Sequence, residues 1–206
     1  QPDNIASPAQ MAAMSGLQPD LRACCVNVTT SGFHPTYSRE MILVEVTSGG
    51  VSVGEADFVK GMLGKLGEVV FWKIAMKPGR PLAYGKIAGA HFFGLPGNPV
   101  SVMVTFYQFV RDALLRLQGM DPVPLLPTFP ATCTARLRKA PGRTEFQRGI
   151  LSRAADGTLA VRPTGEQGSG ILKSMSEANC FIILGDAIGN VEPGTIVEVQ
   201  FLEGLV

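Results

Sequence analysis

The chain has 206 residues, of which 46% are hydrophobic, so it is long enough for one or two domains with a buried core. Its 18 basic and 17 acidic residues leave a formal net charge of +1, which gives no indication of a nucleic-acid or membrane surface. No apolar run approaches the length of a membrane span.

Residues 1–40 show no clear pattern, and we leave them unassigned, as a divergent segment or the remnant of a longer chain. The first ten residues are polar and do not resemble a signal peptide. The four cysteines, Cys24, Cys25, Cys133 and Cys180, form no C-x-x-C pair. We therefore expect neither a zinc site nor a disulfide framework, and a reduced cytoplasm as the location.

Strand and helix patterns alternate over the next part of the chain. Met41–Val46 predicts a buried strand of a parallel sheet. Apolar residues at helical spacing predict a helix over residues 58–66. Residues 69–76 predict the next strand, and glycines within residues 82–93 predict a hairpin. Together with the long helix described next, these elements predict an α/β domain over residues 41–120.

A long helix is predicted after the loop Gly94–Ser101. Asn98 is suited to the N-cap, and Pro99 then occupies the first helical position, where no N–H group is needed. Gly119 is expected to end the helix. Apolar side chains cover nearly every face from Val100 to Leu117, so we expect the helix to be buried on most sides.

Composition changes after Asp121. Four prolines within ten residues indicate a linker or domain edge. Short β-type runs follow, and the Asp156-Gly157 pair is a strong hairpin signal, whereas no amphipathic helix is visible. We predict a small all-β domain over residues 126–206, either a barrel or a sandwich.

Two loops are candidate anion sites. In Ser48–Gly54, adjacent glycines allow the backbone to approach a ligand, and the serines add hydroxyl donors. Glu55 and Ala56 stand where a P-loop has Lys and Ser/Thr, so this is not a P-loop. The Gly94–Ser101 loop places amides at the positive end of a helix. In both cases, a tight strand-to-helix turn without a ligand is the alternative.

Asp57 falls in the first turn of the predicted helix. A carboxylate there is favoured by the helix dipole alone. It could instead hold magnesium between phosphates, because magnesium prefers carboxylate and phosphate oxygens.

Lys73, Lys77 and Arg80 form a candidate oxyanion clamp. The two lysines are expected on the same face of a strand, and a Pro-Gly turn brings Arg80 near Lys77. Glu68 and Asp112 are the acidic residues of the surrounding sequence, so we expect no carboxylate to neutralise the three cations. A solvated strand face is the alternative.

Arg143, Arg148 and Ser169 lie in the predicted β domain and could reach the same cleft. The guanidinium group suits tetrahedral oxyanions because it presents two donors at fixed geometry. Surface arginines on an exposed strand are the alternative. We assign no chemical role to His34 and His91.

Three motifs carry a resemblance to a known family. Thr47–Asp57, Lys73–Pro81 and Gly94–Pro99 occur in an order and at a spacing similar to the molybdopterin molybdenumtransferase family, to which the gephyrin E domain belongs. The match runs from Val44 to Val206. It implies part of a three-layer α/β/α molybdopterin-binding domain followed by the β domain, with the family's N-terminal domains missing from the chain.

The resemblance also implies a reaction, in which molybdate is inserted into adenylylated molybdopterin and AMP is released with the help of Mg²⁺. It implies a homodimer, possible contact with other molybdenum cofactor synthesis proteins, and neither nucleic acid nor membrane as a partner. A non-catalytic scaffolding module or an inactive fragment is the alternative. The implied catalytic residues are Asp57, Lys73 and Lys77. The implied pterin and nucleotide residues are Ser48, Gly49, Gly50, Ser52, Gly54, Pro96, Gly97, Asn98, Pro99 and Ser101. The implied molybdate residues are Lys77, Arg80, Pro81, Arg148 and Ser169, and the implied magnesium ligand is Asp57.

Overall fold

The computed structural model of the protein describes residues 24–28, 42–48, 65 and 67–202. These residues fall into two compact units. The first contains the described residues up to 74 together with residues 79–123, and the second contains residues 75–78 and those from 124 onward. The segment 75–78 therefore belongs to the second unit, although both of its neighbours in the chain belong to the first.

The described residues contain eleven strands. We number the strands in chain order as β1 (Cys24–Val28), β2 (Ile42–Ser48), β3 (Gly67–Lys73), β4 (Met76–Lys77), β5 (Pro81–Ile87), β6 (Ala90–Leu95), β7 (Thr128–Cys133), β8 (Thr144–Arg153), β9 (Leu159–Pro163), β10 (Cys180–Leu184) and β11 (Ile196–Phe201).

The first unit contains a five-stranded sheet in the order β1-β2-β6-β5-β3. β2 lies between β1 and β6 and is parallel to both, which confirms the predicted parallel strand. β5 runs antiparallel to β6 and to β3, so the sheet is mixed. Val44, Leu82 and Phe93 are buried in its core. The predicted helix over residues 58–66 lies outside the described residues except for Lys65.

The hairpin predicted from glycine positions is confirmed. β5 and β6 pair in register up to Ile87 and Ala90, so only Ala88 and Gly89 form the turn. Both turn residues have positive φ angles, 48° for Ala88 and 85° for Gly89. Two consecutive residues in this region are typical of a tight turn whose twist matches that of the strands.

The strand predicted over residues 69–76 is wrong at its carboxyl end. β3 ends at Lys73, and the short strand β4 pairs in parallel with the start of β8 in the second unit. The amide of Ile74 donates a hydrogen bond of 2.7 Å to the carbonyl of Arg80, where the chain returns to the first unit. Lys73 and Lys77 therefore do not share a strand face. A long-range backbone pairing decides this, and the local residue pattern carries no signal for it.

The long predicted helix is present as α1 (Pro99–Thr105), a π-helical turn (Phe106–Val110) and α2 (Arg111–Leu117). Asn98 occupies the N-cap with extended backbone, but its side chain makes no capping hydrogen bond; its carbonyl accepts the Val102 amide at 2.9 Å. Pro99 is at the first helical position, as predicted.

The carboxyl end of the helix is also confirmed. Gly119 has a φ of 93°, and the Met120 amide reaches back to the Leu115 carbonyl at 3.0 Å. This is the hydrogen-bond pattern of a glycine-terminated helix. Burial on most sides is not what we observe. One face, with Val100 and Val104, is fully buried, whereas the apolar side chains on other faces are half-buried.

The second unit is a small β-barrel. Its strand order is β10-β11-β7-β9-β8-β4, and an additional pairing of β10 with β8 closes β10, β11, β7, β9 and β8 on themselves. This closure decides between the predicted barrel and sandwich, and the predicted fold class, an α/β unit followed by a small all-β unit, is confirmed. One short helix, α3 (Lys173–Glu177), lies in a region where the sequence indicated no helix.

β8 is the organising strand of the barrel because it pairs with three others. Residues 145–149 pair with β10, residues 149–153 pair with β9, and β4 pairs with the first two residues of the strand. The apolar side chains of the barrel core are almost inaccessible to solvent. The fully buried core members are Cys133, Val161, Cys180, Ile182, Leu184 and Val199.

Candidate functional site

The structure brings together the starts of the two predicted anion-binding loops. Ser48, the last residue of β2, is in register with Leu95, the last residue of β6, and the two strands are parallel. Both loops therefore leave the same edge of the sheet, at the carboxyl ends of neighbouring strands, which is where open α/β sheets bind ligands. Gly49, Gly50, Ser52, Gly54 and the predicted magnesium ligand Asp57 lie outside the described residues.

In the Gly94–Ser101 loop, the residues in the middle are exposed and those at the ends are buried. Gly97, Asn98 and Pro99 are exposed, whereas Pro96 and Ser101 are buried. The exposed residues directly precede or begin the helix, so a ligand at this position would meet a helix amino terminus. The use of this loop to bind a phosphate or nucleotide stays a prediction.

Lys77 has a carboxylate partner, contrary to the expectation from the sequence. Its Nζ lies 3.2 Å from Oε1 of Glu145, within the second unit. The Lys77 side chain is 46% exposed, whereas that of Glu145 is 5% exposed. The expectation failed because Glu145 is 68 residues away in sequence and becomes a neighbour only through the pairing of β4 with β8.

Glu145 is held from a second side. Its Oε2 accepts a hydrogen bond of 3.0 Å from Nε2 of Gln147, which also donates to the carbonyl of Arg138 at 3.0 Å. Both carboxylate oxygens are therefore hydrogen-bonded, as a buried charge requires. The sequence analysis gave a candidate role to Arg148 but none to Glu145.

Lys73 and Arg80 belong to the first unit. Lys73 is the last residue of β3 and pairs with Pro81 of β5, so Arg80 directly precedes the partner of Lys73. Both side chains are exposed. The structure therefore places two of the three predicted clamp cations next to each other at one end of β3 and β5.

Arg148, predicted to contact molybdate, is fully buried at 1% exposure. Its Nε donates to Ser174 Oγ at 2.9 Å, and its Nη2 donates to the carbonyls of Gly168 at 3.0 Å and Glu166 at 3.4 Å. Burial lowers the pKa of the guanidinium from its ordinary value. The side chain therefore ties the loop before α3 to the barrel.

The same loop is fastened to the backbone of Arg148. Oε1 of Gln167 accepts the Arg148 amide at 2.7 Å, and its Nε2 donates to the Arg148 carbonyl at 3.1 Å. Ser169, two residues further on, is half-buried, and Arg143 is exposed. The sequence analysis assigned no role to Gln167 or Ser174, because neither residue type at those positions indicates a role without the position of Arg148.

His91, which is buried, forms a pair with the half-buried Tyr84 in the first unit. The Tyr84 hydroxyl lies 3.0 Å from His91 Nδ1. Burial lowers the pKa of His91, and the nearby Lys86 lowers it further. Burial also raises the pKa of the Cys180 thiol to about 12, so this cysteine is a core residue without nucleophilic character.

Among the described residues, no group of three or more His, Cys, Asp or Glu side chains is arranged to hold a metal ion. The helices that the structure describes include none that is both long enough and apolar enough to cross a membrane.

Two family models match the chain. The "Probable molybdopterin binding domain" matches residues 39–116, and the "MoeA C-terminal region (domain IV)" matches residues 130–202. The first match coincides with the unit that carries the two loops, and the second coincides with the barrel.

Curated relatives and solved structures agree with these matches. The molybdopterin molybdenumtransferase of Haemophilus influenzae is 50% identical over 155 residues, which cover 75% of this chain and 38% of that protein. Gephyrin of Dictyostelium discoideum is 34% identical over 175 residues, covering 74% of this chain and 24% of gephyrin. A crystal structure of a molybdopterin biosynthesis MoeA protein from Pyrococcus horikosii has a TM-score of 0.60 and 29% identity, covering 78% of this chain and 37% of that one. The chain thus spans well under half the length of these relatives.

Proposed function

Because the chain belongs to the molybdopterin molybdenumtransferase family, with a role in molybdenum cofactor biosynthesis, we propose that it takes part in inserting molybdate into adenylylated molybdopterin. The single observation that carries this proposal is the co-occurrence of both family regions in one chain, at 50% identity to a named molybdopterin molybdenumtransferase. The loss of AMP from the substrate would accompany insertion.

The two loops at the carboxyl ends of β2 and β6 would hold the pterin phosphate and the nucleotide. This assignment is supported by the parallel register of Ser48 with Leu95 and by the exposure of Gly97 and Asn98 at the start of a helix. Backbone amides and the helix dipole would stabilise the phosphate charge.

Cationic side chains would hold molybdate, which is a substrate here. Lys77 and Arg80, with Lys73 nearby in sequence, are exposed and therefore accessible to an anion. Arg148 would act from its buried position by fixing the loop that carries Ser169. No described side chain in this group has the character of a covalent nucleophile, so positioning and electrostatic stabilisation would dominate catalysis.

Magnesium would be held by Asp57 together with phosphate oxygens of the substrate, since these are the ligands that the ion prefers. The ion would offset phosphate charge while AMP leaves. We also propose, from the family resemblance, that the protein is a cytoplasmic homodimer.

The direct test is release of AMP from adenylylated molybdopterin, with the chain, molybdate and Mg²⁺ each omitted in turn. We expect release that requires all three. Binding of the nucleotide without any molybdate-dependent release would contradict the transferase proposal and favour a non-catalytic binding module.

A further inference from the structure

Glu145 is a buried carboxylate beside a cation of the proposed molybdate site. Glu145 is 4% exposed, and its two oxygens receive hydrogen bonds from Lys77 and Gln147 at 3.2 and 3.0 Å. Backbone pairing also places these two residues side by side. Lys77 is in register with Glu145, and the Thr144 amide donates a hydrogen bond to the Ala75 carbonyl at 3.0 Å. The carboxylate is therefore fixed close to the Lys77 ammonium.

Lys77 can serve a second anion at the same time. An ammonium group has three donors, and one of them is directed to Glu145. Because its side chain is 46% exposed, the remaining donors are accessible from solvent. An oxyanion that binds there would share the ammonium with a fixed negative charge.

We propose that Glu145 is a built-in counter-anion that limits how tightly an oxyanion is held at Lys77. Repulsion between the carboxylate and the bound anion lowers the affinity, although solvent at the half-exposed site weakens the effect. The Lys77–Glu145 pair also carries no net charge, so it exerts little attraction on anions at a distance.

A limit on oxyanion affinity suits a substrate that must react after it binds. Tight binding in the ground state does not accelerate a reaction, whereas contacts strengthened only in the transition state do. Glu145 would keep the unreacted oxyanion weakly bound. The identity of that oxyanion as molybdate rests on the proposed function.

The test is a measurement of molybdate binding by calorimetry at low ionic strength, with the whole chain and molybdate alone. Glu145→Gln keeps the shape of the side chain and removes its charge. We expect about fivefold tighter binding than in wild type, equivalent to roughly 1 kcal/mol. The gain in affinity from Glu145→Gln should vanish in a double variant that also carries Lys77→Met, because the two residues act on one anion.

A matched control removes the same charge from an ion pair of the same unit. Glu192 pairs with Arg136 at 3.1 Å, and both side chains are more than half exposed. Glu192→Gln should leave molybdate affinity unchanged. Should Glu145→Gln fail to fold, Glu145→Met removes the buried charge with an apolar side chain of similar volume, and it leaves no buried charge unpaired because the Lys77 side chain is 46% exposed.

The direction of the effect separates the proposal from a merely structural role, because damage to the fold cannot tighten binding. Unchanged or weaker molybdate binding in a folded Glu145 variant would overturn it, as would an equal gain in Glu192→Gln. If wild type binds no molybdate, the proposed function fails on its own. Glu145→Gln should then still gain affinity for sulfate, and an absence of that gain would overturn the inference as well.

Discussion

The Nε atom of Arg148 lies 2.9 Å from Oγ of Ser174, and this bond joins a barrel strand to the only short helix that the structure describes in the second unit. Ser174 in turn donates to the Ile171 carbonyl at 2.6 Å. A buried cation is thus compensated by a hydroxyl and by loop carbonyls. Arginine suits this position because its planar fork reaches several acceptors at fixed angles.

We predict that Arg148→Lys destabilises the protein by about 2–3 kcal/mol, because a lysine cannot reproduce the fork and leaves buried acceptors unpaired. Urea unfolding monitored by circular dichroism measures the change. Arg153→Lys is the control, since Arg153 is exposed and bonds only the Gly157 carbonyl among the contacts described. Equal stability of the two variants would contradict the anchoring role of Arg148.

A side chain at position 149 is predicted to destabilise the barrel core. A Cβ atom there would lie 2.8 Å from Cγ1 of Ile182 and 2.9 Å from Sγ of Cys180, both in the barrel core. Gly149→Ala should therefore cost about 1–3 kcal/mol of unfolding free energy through overpacking. Gly170→Ala is the matched control, because nothing lies within 4 Å of its added Cβ. A stable Gly149→Ala variant would show that the core can shift to accept a methyl group.

Replacing Lys77 or Arg80 by alanine is predicted to weaken molybdate binding. Each substitution should cost roughly 1.5–3 kcal/mol of binding free energy, which is the scale of a hydrogen bond to a charged group. The loss should shrink at high salt, and the double variant should lose less than the sum if both residues hold one oxyanion. Calorimetry of Lys77→Ala, Arg80→Ala and the double variant measures this. If both folded single variants bind molybdate with wild-type affinity, these cations do not bind the anion. The alternative, that they are solvated side chains without a ligand, would then hold.

The same two substitutions should differ in their effect on folding. Lys77→Ala leaves the buried Glu145 carboxylate without its cationic partner, which we expect to cost about 1–3 kcal/mol. Arg80 is exposed, so Arg80→Ala should change stability by less than about 0.5 kcal/mol. Urea unfolding of each variant decides the point. Equal stabilities would mean that Glu145 does not depend on Lys77.

His91 should make stability depend on pH. Its pKa is lowered in the folded state, so below the unfolded value of 6.5 the unfolded chain binds more protons than the folded chain. The contribution of His91 is therefore complete above that value and is lost as the pH falls towards the folded pKa. Urea unfolding at pH 7.5 and 5.5 should show a smaller pH-dependent loss in His91→Gln than in wild type. An identical loss would assign the pH dependence to other groups.

Several features of the protein could be predicted from local sequence because single residues dictate the backbone there. Pro99 fixes its own φ and begins a helix, Gly119 adopts the positive φ that ends one, and the turn before Ala90 requires two residues with positive φ. The order of the three glycine- and proline-containing motifs was sufficient to indicate the family. Such signals depend on a few consecutive residues and can be recognised without knowledge of the fold.

The partners of the charged residues were decided only by the tertiary structure. Lys77 lies next to Glu145 because β4 belongs to the second unit and pairs with β8, and Arg148 is buried because the barrel closes through β8 and β10. The sequence alone does not show whether a lysine or arginine is surrounded by solvent, by a carboxylate or by backbone carbonyls. Burial and pairing depend on strands that are distant in the chain, and no local periodicity encodes which of them become neighbours.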